Sequence, residues 1–308
     1  MERSYKRKAD LILCSDIHFR EDTPTCWVGD FQEEQWTAVE FISNLQKEHE
    51  CPVIHGGDLF HHWKPSPWLL SMTIEHLPNK FHTIYGQHDL PQHNFALRNK
   101  SGIYALEKAN VLNATFINGA HYGFEPPTDH GCGIEYSEEL GLGFGHGRNK
   151  TILVWHHLTY QMKPFPGAEG GMARGILRRY NQYDLIVTGD NHQAFVEEFE
   201  GRLLVNPGSL TRQKADQINF KPRVYLWYAD TNTVTPVYIP IKDGVISREH
   251  IEEKEERNER ISAFIEHLQD DYDITVSFEE NIERFFNANP NIRDNIKDII
   301  YKALENGN

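Results

Sequence analysis

Short apolar runs recur along the first two thirds of the chain, and polar or amphipathic stretches separate them. Five of these runs end in residues of potential chemical interest, at 11–13, 53–54, 81–85, 151–155 and 185–187. Their lengths, and the small or acidic residues that follow them, are typical of buried β-strands. The pattern therefore predicts that this part of the chain is organised around sheets.

Two helical patterns lie between the first three runs. Residues 31–48 carry an apolar stripe at helical spacing, and a second helix is predicted to begin after Ser66 and to run to His76. Ser66 suits an N-cap and Pro67 suits the first helical position. Strands that alternate with helices favour parallel pairing, so the carboxyl ends of these strands should meet at one edge of a sheet.

β-type segments replace the helices from residue 113 onward. The predicted strands span 114–117, 141–144, 151–155, 184–188, 202–205, 223–228 and 234–239. We expect a second, more antiparallel sheet that packs on the first. The fold class is therefore α/β.

The last part of the chain has a different pattern. We predict a highly charged helix over 249–268, a short strand over 273–277, and two amphipathic helices separated by Asn289-Pro290. The two helices can form a hairpin with one apolar face. That face would pack on the rest of the chain, on the other helix of the pair, or on a partner. We place the domain boundary between a catalytic domain, 1–243, and an acidic, mainly helical appendage, 244–308.

Composition and charge narrow the choice of function only slightly. The chain has 308 residues, is 39% hydrophobic and carries a net charge of −14, which argues against a nucleic-acid partner at first. Residues 245–308 hold 8 basic and 16 acidic residues, so the body accounts for only −6. The four cysteines are too irregularly spaced for a disulfide framework. We find no signal peptide or membrane span, and expect a cytoplasmic protein.

Side chains of the types that commonly bind metal ions follow each of the five apolar runs. The segments are Ser15-Asp16-Ile17-His18, Gly57-Asp58, Gly86-Gln87-His88-Asp89, His156-His157 and Gly189-Asp190-Asn191-His192. Carboxylates at the mouths of buried strands are costly unless they are paired or bind a metal. Because side chains alternate along a strand, both Asp-x-His pairs should present their two ligands on one side. Oxygen and nitrogen ligands without thiolate indicate two Mn-, Mg- or Fe-like ions.

The order and spacing of these motifs resemble those of the calcineurin-like metallophosphoesterases over about residues 10 to 210. Within that superfamily, the segment G-G-D-L-F-H-H-W-K-P-S at 56–66 resembles the Mre/SbcD-type DNA-repair nucleases. The segment N-P-G-S-L at 206–210, followed by Lys221-Pro222-Arg223, resembles a later part of the same nucleases. The resemblance implies a sandwich of two mixed β-sheets flanked by helices, with a dinuclear metal centre.

The resemblance also implies a role for each matching residue. One divalent ion, most simply Mn²⁺ with Mg²⁺ or Fe²⁺ as alternatives, would be held by Asp16, His18, Asp58 and His192. The other would be held by Asp58, Gln87, His156 and Asp190, so that Asp58 bridges and a hydroxide between the ions attacks phosphorus. His88 would protonate or stabilise the leaving oxygen. Asp89 would orient His88, or would merely cap a turn.

Two positions depart from the family pattern. Gln87 stands where the family has asparagine, and Asp190 stands where it has histidine. The second change predicts tighter binding of hard cations and a weaker Lewis acid at that site. Motif alignment favours His156 over His157 as the ligand. We expect the neighbouring histidines, His55, His61, His62 and His93, to lie outside the ligand set.

These patterns favour a DNA phosphodiesterase of SbcD type, an exonuclease with endonuclease activity as an added option, in DNA repair or recombination. Such an enzyme implies DNA, an SbcC-type ATPase subunit and a second copy of the chain as partners, and no membrane. The alternatives are a small-molecule or cyclic-nucleotide phosphodiesterase and a non-catalytic scaffold on the same fold. Arg174, Arg178 and Arg179 suit either a phosphate contact or a solvated helix face.

Overall fold

The computed structural model describes residues 7–114, 133–135, 150–163, 167, 169–248, 258, 260–261 and 277–305. The chain divides into two compact units, residues 1–247 and 248–308. The boundary predicted between a catalytic domain, 1–243, and an acidic appendage, 244–308, stays a prediction. The first unit holds all the candidate site residues.

The first sheet has five strands in the order β12-β11-β1-β2-β3. These strands are β1 (Leu11–Cys14), β2 (Val53–His55), β3 (Phe81–Thr83), β11 (Arg223–Tyr228) and β12 (Thr233–Tyr238). β1, β2 and β3 are parallel, as the alternation of strands and helices predicts, while β11 and β12 are antiparallel additions at the far side of β1.

The second sheet also has five strands, in the order β4-β5-β8-β10-β9. They are β4 (Gly133–Glu135), β5 (Thr151–Trp155), β8 (Leu185–Thr188), β9 (Phe195–Phe199) and β10 (Arg202–Asn206). A separate parallel pair is formed by β6 (Thr159–Tyr160) and β7 (Gly171–Met172). β5, β8 and β10 are parallel to one another, so the carboxyl ends of β5 and β8 point the same way.

Helices cover the outer faces of the two sheets. α1 (Phe31–His49), α2 (Pro67–His76) and α3 (Gly102–Lys108) contribute to the cluster around Ile12 and Val53, while α4 (Ala173–Arg179) packs on Leu153 and Ile186. Short 3₁₀ turns occur at Pro91–His93, Phe95–Lys100 and Ala215–Asn219. The central core lies between the sheets, where alternate residues of both meet, among them Leu13, Ile54, Val154 and Val187.

The helix starts agree with the sequence pattern. Ser66 caps α2 by accepting the backbone N–H of Leu69, and Pro67 occupies the first turn. α1 begins at Phe31, where Asp30 accepts the N–H of Glu33.

The predicted membership and character of the second sheet were wrong. Residues 223–228 and 233–238 form strands, but these strands extend the first sheet, with Leu13 opposite Tyr225. Each sheet combines two parallel and two antiparallel pairings, so the second sheet is not the more antiparallel one. The predicted strand at 141–144 and nearly all of that at 114–117 lie outside the described residues.

The second unit contains two helices, Phe278–Ala288 and Asp294–Glu305, on either side of Asn289-Pro290 as predicted. Ser277 and Glu280 form a reciprocal capping box at the first helix start. Ile282, Phe285 and Phe286 form its buried cluster. Most of the predicted helix over 249–268 and strand over 273–277 falls outside the described residues.

A bilayer-spanning helix is not found in the described part of the chain, since no helix there is both long and apolar enough.

Candidate metal centre

Four residues at the ends of β1, β2 and β8 have left-handed backbone conformations. Their φ angles are 49° at Asp16, 52° at His18, 57° at Asp58 and 73° at Asp190. Such angles are costly for residues other than glycine and are concentrated at functional sites. The expectation that Asp16 and His18 converge through strand alternation was wrong in its cause: β1 has ended at Cys14, and left-handed turns bring them together.

Two glycines allow these turns to approach one another closely. Gly57 has φ of 98°, and a Cβ there would lie 2.6 Å from His156 Nδ1. A Cβ on Gly86 would lie 2.1 Å from Asp58 Oδ1. Any side chain at either position would displace a candidate ligand.

Asp16, His18 and His192 form the first group of potential ligands. The Nε2 atoms of His18 and His192 are 3.2 Å apart, and each lies 3.7 Å from Asp16 Oδ1. Ligand atoms that share one ion at about 2.1 Å from it lie roughly 3 Å or slightly more from each other, so this triangle has the size of a cation site. Ser15 Oγ donates to Asp16 Oδ2 at 2.6 Å and holds that carboxylate in place.

Asp58 and His156 form a second group with Asp16. Asp58 Oδ2 lies 3.3 Å from His156 Nε2 and 3.7 Å from His18 Nε2, which belongs to the first group. Asp58 Oδ1 accepts the backbone N–H of His88 at 2.9 Å. The Asp58 carboxylate therefore lies between the two groups, where a bridging ligand must lie.

Gln87 and Asp190 pair with each other. The Gln87 side-chain amide donates to Asp190 Oδ1, and the Asp190 backbone N–H donates to both carboxylate oxygens of Asp16 at 3.1 and 3.2 Å. Both residues therefore lie at the site. Among the described residues, the Asp190 carboxylate is not close enough to the other acidic and imidazole side chains to join either group of potential ligands.

Unpartnered polar atoms show that the site fits cations. Asp58 Oδ2 and His156 Nε2 are both buried and lie 3.3 Å apart as an ion pair, and neither forms a regular hydrogen bond with any residue that the structure describes. Orphaned atoms of this kind are rare in proteins because each one loses its hydration without replacement. A carboxylate oxygen and an imidazole nitrogen that face one another are ligands suited to a divalent ion. The residues present therefore fit the metal centre that the sequence implies.

Charge compensation within the chain shifts the acid and base strengths of these groups. Burial alone would raise the pKa of Asp58 and lower that of His156, but their mutual attraction outweighs it, so the Asp58 pKa is lowered and the His156 pKa is raised. Asp16 is likewise held at a lowered pKa against the effect of burial, first by its interaction with the His18 imidazole, whose Nε2 lies 3.7 Å away. A bound cation would take over this compensation from the imidazolium protons.

His88 and His61 extend the site beyond the metal ligands. The ring centroids of His18 and His88 are 4.9 Å apart, and those of His61 and His88 are 5.5 Å apart at an interplanar angle of 22°. The three side chains form a third group of closely spaced nitrogen atoms. Burial, and then the positive charge of Arg20, lower the pKa of His61 to about 4. The sequence interpretation left His61 outside the ligand set, although its position three residues after Asp58 was a usable signal.

Asp89 does not touch the His88 ring. Its fully buried carboxylate accepts the backbone N–H groups of Leu59, Phe60 and Gly86 at 3.2, 2.9 and 3.0 Å. The His88 ring is held instead by His61, whose carbonyl oxygen lies 2.9 Å from His88 Nδ1. These bonds favour the second of the two expectations for Asp89, that it caps a turn, and they extend it to a clamp between two loops. Burial, and then the charge of Asp58, raise the pKa of Asp89 to about 7.

The remaining histidines are clearly separated from the ligand groups. His156 lies beside Asp58 and Gly56, whereas His157 stacks on Trp155 with ring centroids 4.1 Å apart. His55 is buried beside Thr83, while His62 and His93 are exposed.

The comparisons with known proteins agree with this geometry. A sequence profile described as the calcineurin-like phosphoesterase superfamily domain matches residues 10–221. No curated protein matches the chain significantly.

Similar solved structures include a phosphodiesterase from an archaeon (12% identity, TM-score 0.39, 74% of this chain and 98% of that chain). A metallophosphoesterase from Sphaerobacter thermophilus is 13% identical (TM-score 0.35, 75% and 89%). Vps29 from Entamoeba histolytica, complexed with Zn²⁺, is also 13% identical (TM-score 0.31, 75% and 99%). The profile match covers more than two thirds of the residues and all the candidate ligands. The chain therefore belongs to the calcineurin-like phosphoesterase superfamily, a family of metal-dependent phosphoester hydrolases.

Proposed function

We propose that this hydrolase cleaves phosphodiester bonds in DNA, as an exonuclease of SbcD type with endonuclease activity as an added option, in DNA repair or recombination. The observation that carries the proposal is the placement of the 56–66 segment. That segment supplies both Asp58, which lies between the two ligand groups, and His61, whose ring lies beside His88. The part of the sequence most similar to DNA-repair nucleases thus lines the reacting centre.

A pair of divalent ions bound here would neutralise charge on the phosphate and lower the pKa of a coordinated water. The chain contributes a positioned acid. Since a carbonyl oxygen only accepts, the contact between His88 Nδ1 and the His61 carbonyl places a proton on Nδ1. The Nε2 atom of His88 is then free to carry a second proton and to deliver it to the departing oxygen.

His61 suits a different task. With its pKa lowered to about 4, its ring is neutral at pH 7 and can donate one hydrogen bond without adding charge. The ring lies beside that of His88, so it can orient a strand end or a leaving group.

Cations at the edge of the site support an anionic polymer as the substrate. Arg20, whose guanidinium also pairs with the exposed Asp22 carboxylate, contributes to the lowered pKa of His61, and Lys214 contributes to that of His192, in each case after burial. Lys64, in the 56–66 segment, is exposed. These charges would contact phosphates next to the one that is cleaved.

The proposed partners are an SbcC-type ATPase subunit and a second copy of the chain, in the cytoplasm. Exposed apolar side chains support protein partners: Ile296 and Ile299 on the second C-terminal helix, and Trp68 and Ile74 in the first and last turns of α2. Cys14 is buried and unpaired, in keeping with a reducing compartment.

A small-molecule or cyclic-nucleotide phosphodiesterase is the second candidate. The net charge of −14 favours it, because a small phosphodiester is repelled less strongly than a long polyanion.

Purified protein incubated with end-labelled duplex DNA and Mn²⁺ or Mg²⁺ tests the proposal, with 3′,5′-cyclic AMP in parallel. We expect DNA digestion that is lost with EDTA, in Asp58→Asn and in His88→Ala. His62→Ala is the matched control, because His62 is exposed in the same segment and should retain activity. Hydrolysis of cyclic AMP without DNA digestion would reject the DNA assignment and support the second candidate.

A further inference from the structure

A cavity of about 400 Å³ lies on the outer face of the second sheet, between the end of β5 and α4. Its wall includes the rings of Trp155, His157 and Tyr180 together with Gly171 and Gly175. The volume is within the range of small-molecule sites. None of the candidate ligands or catalytic residues described above lines it.

The wall is built around stacked rings. Trp155 and His157 are parallel within 3° at 4.1 Å, and Tyr180 meets the Trp155 ring edge-on, with centroids 5.9 Å apart. Trp155 and Tyr180 are buried, whereas His157 is only partly covered. A further planar ring could therefore extend the stack from His157.

Two buried donors in this wall have no partner among the residues that the structure describes. The indole N–H of Trp155 and the hydroxyl of Tyr180 make no hydrogen bond within those residues, although their side chains are only 5% and 6% exposed. The cost of removing these donors from water has already been incurred in the folded chain. Both donor atoms are covered by neighbouring groups, so a ligand edge with ring nitrogens or carbonyl oxygens has to shift that cover to reach them, and then gains more than from bonding to hydrated groups.

Glycine and arginine complete the character of the cavity. A Cβ on Gly175 would meet nothing closer than 3.8 Å, so the space in front of this residue is open. Arg179 also lines the cavity and is exposed, and no carboxylate among the described residues forms an ion pair with it. The cavity thus offers a stacking surface, unmet donors and a cation that suits phosphate.

One residue that lines the cavity is adjacent in sequence to a candidate metal ligand. His157 directly follows His156, so the two Cα atoms are about 3.8 Å apart, while the His156 side chain lies beside Asp58 and that of His157 stacks on Trp155. The backbone N–H of Gly171 donates to Leu158 O at 2.9 Å, which joins the far wall to the same strand end.

We propose that this cavity binds one nucleotide, with the base stacked on the His157 ring, as the outermost member of the stack that Trp155 begins, and the phosphate paired with Arg179. The choice of a nucleotide over another planar anion rests on the proposed function. The cavity would hold an unpaired nucleotide of the DNA strand whose neighbouring phosphodiester lies at the metal centre.

The test measures binding of dAMP to full-length protein in EDTA by saturation-transfer NMR, which detects weak ligands and shows which protons approach the protein. We expect saturation mainly at the base protons H2 and H8. Gly175→Leu, which fills the cavity, should weaken binding at least tenfold, and Arg179→Gln and Tyr180→Phe should weaken it several-fold. Arg178→Gln is the matched control, since Arg178 is exposed on the same helix without lining the cavity.

Absence of base saturation, or dAMP binding that Gly175→Leu and Tyr180→Phe leave unchanged, would overturn the inference. Equal binding of deoxyribose 5-phosphate would also overturn it, because the base would then contribute nothing. Tyr180→Phe removes only an unpartnered hydroxyl, so it keeps the test decisive if Gly175→Leu fails to fold. Since EDTA removes the metals, these outcomes are independent of whether the protein digests DNA.

Discussion

Replacement of Asp89 by asparagine tests whether Asp89 holds two loops together or acts through His88, the proposed catalytic histidine. The Asp89 carboxylate accepts three backbone N–H groups, from Leu59, Phe60 and Gly86. Asparagine has one carbonyl oxygen, which can keep the two bonds made by Oδ2. Its amide nitrogen would then face the Phe60 N–H, and two donors would oppose each other.

The expected cost follows from that geometry. At a pH well above the Asp89 pKa of about 7, where its carboxylate is ionised, one hydrogen bond to a charged acceptor is lost and one buried N–H is left unpaired, so we expect the free energy of unfolding to fall by about 3 kcal/mol. The loops that carry Asp58 and His88 would lose their common anchor. A displacement of about 1 Å at a reacting group costs roughly 10²-fold in rate, and we expect a loss of that order.

Urea denaturation and hydrolysis of bis-p-nitrophenyl phosphate with Mn²⁺ measure the two effects. The decisive comparison introduces Asp89→Asn into both the wild type and His88→Ala. If Asp89 acts as a clamp, the substitution lowers stability and residual activity by similar factors in both backgrounds. Wild-type stability, together with no further loss of activity in the His88→Ala background, would show that Asp89 acts through His88 and would refute the clamp.

Three further predictions concern single side chains. Asp190→His should weaken Mn²⁺ and Mg²⁺ binding by about tenfold, or 1.4 kcal/mol, because a hard anionic ligand is lost; unchanged affinities by titration calorimetry would reject this. His61→Ala should reduce DNA cleavage by about 10²-fold while His62→Ala stays within about twofold, and equal rates for the two variants would contradict a role for His61. Asp184 is partly buried; burial opposes ionisation, but bonds from Lys150 and Thr151 hold its pKa below the unfolded value. Asp184→Asn should therefore cost about 1 kcal/mol of stability above the unfolded pKa, with the penalty lost as pH falls through the folded pKa; a penalty in urea melts that persists at low pH would exclude this cause.

Local signals were enough to predict the elements that carry the site. Ser66 and Pro67 identify the start of α2 because capping depends on neighbouring residues alone. The parallel strands β1, β2 and β3 follow from the alternation of apolar runs with amphipathic helices. Their carboxyl ends had to meet, so Asp16 and Asp58 could be placed together before any coordinates existed.

The pairing of strands that are far apart in sequence could not be predicted in the same way. The strands β11 and β12 were recognised, but their sheet was not, because an antiparallel partner more than two hundred residues away leaves no local pattern. The left-handed turns at Asp16 and Asp58 were also missed. Aspartate tolerates this conformation only moderately well, so the sequence gives no sign that tertiary contacts impose it.

The sequence predicted the candidate metal ligands of the site more fully than the residues that position them. Metal-type residues at strand ends are informative because an unpaired carboxylate is costly there. Asp89 lies in the same motif as His88, yet its oxygens serve three backbone groups whose directions depend on how two loops cross. His61 and His62 are indistinguishable in sequence, and only the turn after Asp58 determines which ring reaches His88.

The central claim is that two cations share the Asp58 carboxylate. Anomalous difference maps from crystals of the full chain soaked in Mn²⁺ test it directly. We predict two peaks per chain, one beside Asp16, His18 and His192 and the other beside His156, with Asp58 between them, and the loss of at least one peak in Asp58→Asn. A single peak, a pocket without any peak, or two peaks that remain in Asp58→Asn would contradict the shared centre.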